Sequence, residues 1–162
     1  MSEVSRLSRI MLLLAVCMSA GCGYASDSAL RRECQPWVKG FFQKPSKAQI
    51  TELRSFALDN QYKIYLCGNQ IIHPPTMHLA EPFAQGGAAV AELLKAELSK
   101  PNSDANVRDI IMALREMQRL GTYEVARDRS LMQLATDSVE RMRDKDWQQM
   151  ANEMLLEIEQ GR

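Results

Sequence analysis

The stretch that decides the fold is residues 104–121, DANVRDIIMALREMQRLG. Val107, Ile110, Ile111, Leu114 and Met117 recur at the three- and four-residue spacing of one helix face, and Gly121 stops the run. Ahead of it, Pro101-Asn102-Ser103-Asp104 reads as a turn that ends on the N-cap residue, Asp104. The stripe is apolar on one face and charged on the other, so this helix must pack against a neighbour.

That neighbour is legible on either side. Upstream, Val90, Leu93, Leu94 and Leu98 form a narrower stripe, with Glu97 where an ideal stripe would be apolar. Downstream, Asp128 is placed to cap a helix carrying Leu131, Leu134, Ala135, Ser138, Val139 and Met142. Residues 143–146, RDKD, open a last helix whose stripe is Trp147, Met150, Ala151, Met154 and Ile158, with Gly161 after it. A shift of about forty residues superposes these stripes. Val107 then falls on Trp147, Ile110 on Met150, Ile111 on Ala151 and Leu114 on Met154. With one more residue of loop, Val90 falls on Leu131, Leu93 on Leu134 and Leu98 on Val139. Helical hairpins at this period mark an α-solenoid.

Residues 87–121 resemble a HEAT repeat: helix, turn with Pro101, then Asp104-x-x-Val107-Arg108, then Leu114 and a closing Gly. The resemblance implies that Val107 is core and that Asp104 and Arg108 interact between repeats. The second unit departs from the pattern, because Asp144 is followed by Trp147-Gln148 and the Arg is missing. The expected fold is therefore all-α, with hairpins stacked as a short HEAT-like solenoid over units at 74–121 and 122–160. An irregular helical bundle is the alternative.

The region before residue 87 is less regular. Cys34-Gln35-Pro36-Trp37-Val38 and Phe41-Phe42 form an aromatic cluster. Ser46-Lys47-Ala48-Gln49 reads as a capping box, Ser capping and Gln three later. A helix through Ile50, Leu53, Phe56 and Ala57 follows, closed at Asn60. Residues 62–67, YKIYLC, read as a short helix ending at Gly68, since no partner strand is evident. His73-Pro74-Pro75 stops the chain, Pro75 opens a new helix, Pro82 kinks or splits it, and Gly86-Gly87 breaks it.

The first 21 residues read as an address. Arg6 and Arg9 precede an apolar run, MLLLAVCMSA at 11–20, and then small residues. The run is too short for a comfortable membrane span, which needs ~20 apolar residues. Ser19-Ala20-Gly21-Cys22 resembles the lipobox of bacterial lipoproteins, although Ser19 stands where Leu is usual. The resemblance implies that Cys22 becomes the first mature residue and carries a diacylglycerol. Ordinary cleavage after Ala25, at Gly23-Tyr24-Ala25, is the alternative and would give a soluble secreted or periplasmic chain. Residues 22–33 then form a tether and 34–160 a single domain.

Of four Cys, Cys17 leaves with the signal, and either cleavage leaves Cys34 and Cys67. An even pair in an exported chain is expected to form a disulfide. Two buried thiols are the other reading.

Composition narrows the function. With Lys+Arg 20 and Asp+Glu 20 the formal net charge is +0, which excludes a nucleic-acid binder that works through surplus cationic charge. Alternating β-branched and aromatic runs are scarce, which argues against an all-β fold. The two His, His73 and His78, could join Glu81 around a metal. Their five-residue spacing does not share a helix face, so no metal site is expected. No catalytic or phosphate-binding motif occurs, and no cofactor is expected. Most of the mature methionines lie on helix stripes and read as core filling.

These readings converge on an exported, lipid-anchored, non-enzymatic module facing the periplasm, on the outer membrane, that binds another envelope protein. An immunity or inhibitor lipoprotein acting on an extracytoplasmic enzyme is one alternative. A metal- or thiol-dependent enzyme using His73, His78 and Glu81, or Cys34 and Cys67, is another. Cells grown with a clickable fatty acid should label the wild-type chain, and Cys22→Ser should abolish the label. An unlabelled wild type beginning at Ser26 would establish the other cleavage.

Overall fold

The computed structural model of the chain describes residues 22–161, with side chains described from residue 28. The signal-peptide reading of residues 1–21 lies outside the described residues, as does the Cys22 side chain. Contacts divide the chain into two units, Met1–Glu33 and Cys34–Arg162, and the core described here belongs to the second.

The described residues form eight α-helices and no strand, so the fold is all-α. Residues 22–33, read as a tether, are the first part of α1 (Cys22–Val38). A 3-10 turn at Phe41–Gln43 leads to α2 (Ser46–Leu53) and α3 (Leu58–Gln70). A second 3-10 turn, Met77–Leu79, runs into the short α4 (Ala80–Ala84). Then come α5 (Ala88–Leu98), α6 (Asp104–Leu120), a 3-10 turn at Val125–Arg127, α7 (Arg129–Glu140) and α8 (Lys145–Glu159).

The region before α5 corrects several expectations. Ser46 is the first residue of α2 rather than its cap, which is Pro45. Gln49 instead turns its amide back to the Lys44 and Phe42 carbonyls, at 2.7 and 3.3 Å. The helix expected to continue to Asn60 stops at Leu53, and Asn60 lies near the start of α3. Local side-chain bonds compete with the helix here: Ser55 Oγ donates to the Glu52 carbonyl and Gln61 Nε2 to the Phe56 carbonyl. Gly68 does not end a helix but lies inside α3, against the chain that returns from the proline turn. A Cβ there would stand 2.0 Å from Thr76 Oγ1 and 3.2–3.3 Å from Phe42 and Leu79. Pro75 opens no helix, and the 3-10 turn intervenes. Pro82 is the third residue of α4, where the N–H has no intrahelical partner to lose.

The second half follows its pattern closely, with one shift at the start of α6. The cap is Ser103, whose Oγ accepts from Asn106 N, and Asp104 is the first helical residue. Asp128 caps α7 through Leu131 N, and Asp144 caps α8 through Asp146 N and Trp147 N. Gly121 closes α6 at φ +66°, a conformation glycine adopts without strain. Val90, Leu94, Leu98, Val107, Ile110, Ile111, Leu114 and Met117 are buried. So are Leu131, Ala135, Val139, Met142, Ala151, Met154 and Ile158. Leu93, Leu134 and Trp147 are half-buried against this core. Met150 departs from its stripe and is 48% exposed.

Helices one period apart lie side by side: α7 packs on α5, and α8 packs on α6. Within and between hairpins α6 also meets α3, α4, α5 and α7. Polar ties fasten the hairpin ends. Thr122 Oγ1 donates to the Ala84 carbonyl, and Lys95 Nζ reaches the Asp128 carboxylate at 3.3 Å. Cys34 and Cys67, both fully buried, are joined as a disulfide that ties the end of α1 to α3. Closing a loop of this length stabilises by ~3–4 kcal/mol on the loop-entropy account. Leu114→Ala should cost about 2–5 kcal/mol in urea unfolding, because the side chain is fully buried. Leu156→Ala, at a side chain 53% exposed, should stay within about 0.5 kcal/mol of wild type.

Candidate functional site

The periodicity of α6 and α8 does more than build the core. On α6, Arg108, Asp109, Met112 and Arg115 share a second face, and on α8 Met150, Glu153, Met154 and Glu157 do the same. These two faces, with Asn69 of α3 and the turn at residues 75–77, enclose a groove of about 290 Å³. Four thioethers line it. Met112 and Met154 are buried, while Met77 and Met150 are 54% and 48% exposed.

One wall is polar and tightly organised. The Asp109 side chain has no exposure, and Arg108 donates to its Oδ1 through Nε and Nη2 at 2.9 and 2.7 Å. Gln70 Nε2 donates to Asp109 Oδ2 at 2.8 Å and to Asn106 Oδ1 at 2.9 Å. The Tyr65 hydroxyl donates to the Asp109 carbonyl at 2.8 Å. Burial raises the Asp109 carboxyl above its ordinary value, and the Arg108 charge pulls the other way. Burial, with the Asp109 charge second, holds the Tyr65 phenol well above its usual range. The network fastens α3 to α6, and Arg108 carries it to α8 by lying over the Trp147 ring, 4.5 Å from its centroid.

Asn69 lies beside this network, 5% exposed and with both amide atoms buried; it makes no hydrogen bond of good geometry, and its interaction with the Tyr65 hydroxyl works against the effect of burial on that phenol.

The structure separates the residues singled out in the sequence. Asp104 Oδ2 accepts from the Arg143 and Asp144 backbone N–H groups, at 2.8 Å each, so it bridges to the turn one period later. Val107 is core, and Arg108 reaches Trp147. His73 is exposed, at a cis peptide bond to Pro74. His78 donates to Gln49 Oε1 at 3.0 Å, and its imidazole is held below its ordinary value by burial. His78 and Glu81 line a second depression of about 350 Å³ with Arg54, Arg115 and Glu116, and His73 is not part of it. Among the described residues no group of three His, Cys, Asp or Glu could hold a metal. Also among these residues, no helix is long and apolar enough to cross a membrane.

Sequence reasoning missed the groove. Asp109 and Met112 fall off the apolar stripe of α6 and read as its solvent side, whereas both are buried. The one available signal was the pair Met150 and Met154, four apart on one helix face. No protein-family model matches the chain, and neither a curated protein nor a solved structure is found similar to it.

The raised Asp109 carboxyl makes a pH prediction. An unfolded carboxyl titrates near ~3.9, so above that value the native state holds the Asp109 proton more tightly than the unfolded chain. This group's contribution to stability is therefore full below about pH 4 and is lost as pH rises through the native value. Asp109→Asn cannot titrate. Urea unfolding of both chains between pH 4 and 7 should show wild type losing stability relative to Asp109→Asn as pH rises. Parallel curves would refute the assignment.

Proposed function

We propose that the chain is an exported, lipid-anchored, non-catalytic module of the bacterial envelope that holds another envelope protein in the groove between α6, α8 and the turn at residues 75–77. The observation that carries this reading is the pair of exposed thioethers, Met77 and Met150, above the buried Met112 and Met154. Large apolar side chains standing in solvent beside a concavity favour an apolar occupant. Methionine is unbranched and polarisable, so a thioether lining adapts to what it receives.

The anchoring half of the reading rests on Ser19-Ala20-Gly21-Cys22 after the apolar run, and the disulfide agrees with an oxidising compartment. The side-by-side placement of helices one period apart, and the bridge from Asp104 to residues 143 and 144, support a HEAT-like stack. In such stacks one face of the second helices serves as a binding surface. Here α6 and α8 supply that face.

A photo-crosslinking amino acid placed at position 150 should trap a discrete envelope protein in cells. The same probe at Gln133, exposed on α7, should not. The adduct should disappear when Met77→Glu is added to the position-150 probe, since a carboxylate in the apolar wall opposes occupancy. Equal labelling from positions 150 and 133 would count against the groove as the contact site.

A further inference from the structure

The sulfur atoms of the domain divide sharply by exposure. Cys34 and Cys67 are fully buried and already joined as a disulfide, so neither offers a thiol to an oxidant. Met112, Met117, Met142 and Met154 are at most 8% exposed, and Met132 is half-buried against the core. Met77 and Met150 stand apart, at 54% and 48%. One comes from the turn after α3 and the other from α8, yet both line the same groove. Among the described residues the exposed large apolar side chains are Met77, Met150 and Leu156, so two of the three carry an oxidisable sulfur. A thioether open to solvent is a two-electron reductant, whereas one packed in a core is shielded from the oxidant.

We propose that Met77 and Met150 are a paired, reversible oxidation site for hydrogen peroxide, and that sulfoxidation there makes the apolar mouth of the groove polar without disturbing the core. In each event a sulfur lone pair attacks one peroxide oxygen, an S–O bond forms and the O–O bond breaks. The sulfur is oxidised by two electrons and the peroxide is reduced. The departing hydroxide takes the proton of the transferred oxygen and leaves as water, so a sulfoxide remains. A sulfoxide oxygen is a strong hydrogen-bond acceptor where the thioether was a weak one. Arg115 lines the same groove, and its Nη1 contact with Glu157 is long, at 3.4 Å. Its other N–H groups supply donors for such an oxygen. The modification itself needs no partner. Its consequence rests on the binding-module reading of the same groove: an apolar occupant loses its thioether contacts when the sulfoxides form, and a sulfoxide reductase restores them.

The folded chain is treated with hydrogen peroxide, and each methionine is followed by peptide mass spectrometry. Met77 and Met150 should gain oxygen at least about tenfold faster than Met112, Met117 and Met154. The doubly oxidised protein should keep the wild-type melting temperature, and the two epimer-specific sulfoxide reductases should return it to its original mass. Met77→Leu/Met150→Leu should fold as wild type does and take up little oxygen at the same dose. Comparable rates at exposed and buried positions would overturn the site. So would unfolding on oxidation of Met77 and Met150, or sulfoxides that the reductases remove only from the unfolded chain. The consequence is tested with a photo-crosslinking amino acid at position 153, which lines the groove and leaves both thioethers in place. Its adduct with solubilised envelope should be lost after peroxide treatment of the chain, return after reductase, and persist through oxidation in Met77→Leu/Met150→Leu. An adduct indifferent to oxidation in wild type would overturn control of the groove while leaving the binding-module reading intact. No adduct from either chain would count against that reading, and the peptide rates would still decide the oxidation site.

Discussion

Every other part of the structure depends on how thoroughly α6 is buried. From Asp109 to Leu114 six consecutive residues are inside, which leaves the middle of the helix almost without a solvent face. An ordinary amphipathic helix needs one neighbour, but this one has neighbours on several sides: α3, α4, α5, α7 and α8 all meet it. The burial carries one liability, a carboxylate inside. Asp109 is tolerable there because Arg108, Gln70 and their geometry satisfy both of its oxygens. The polar network is thus a consequence of placing α6 at the centre, and it fixes the angle at which α3 approaches.

The forty-residue period has a physical counterpart at two points. Asp104 receives the N–H groups of residues 143 and 144, the turn that occupies its own place one period on. Arg108 stacks on Trp147, which stands where Val107 stands one period earlier. Gln148, forty residues after Arg108, turns back instead and donates to the carbonyls of Val139 and Glu140 at the end of α7.

The legibility of this protein follows the range of its interactions. Stripes, caps and stops in the second half are local, and they could be read because each depends on residues within four of one another. The errors cluster in residues 46–75, where local signals are overruled. Gly68 looks like a stop, but it is a glycine so that Thr76 and Leu79 can approach. Ser46 and Gln49 have capping-box spacing, yet Gln49 is drawn to the carbonyls of the preceding turn. The groove was less legible still. Asp109 and Met112 lie off the apolar stripe, and for Asp109 it is partners 39 and 44 residues away that account for its place inside. Met150 erred the other way, apolar in pattern and exposed in fact.

Rigidity and adaptability are divided between two faces of the same helices. The core faces of α6 and α8 are filled by branched and small side chains such as Ile110, Leu114, Ala151 and Ile158, whose few rotamers fix the spacing of the helices. Their groove faces carry Met112, Met150 and Met154, with three rotatable bonds each. A change in shape demanded by an occupant can therefore be met by thioether rotamers alone, without moving a helix or breaking the Asp104 bridge. The disulfide fastens α1 to α3, and the Tyr65 and Gln70 hydrogen bonds to Asp109 fix α3 against α6, while the methionine side chains on the other face keep their rotatable bonds.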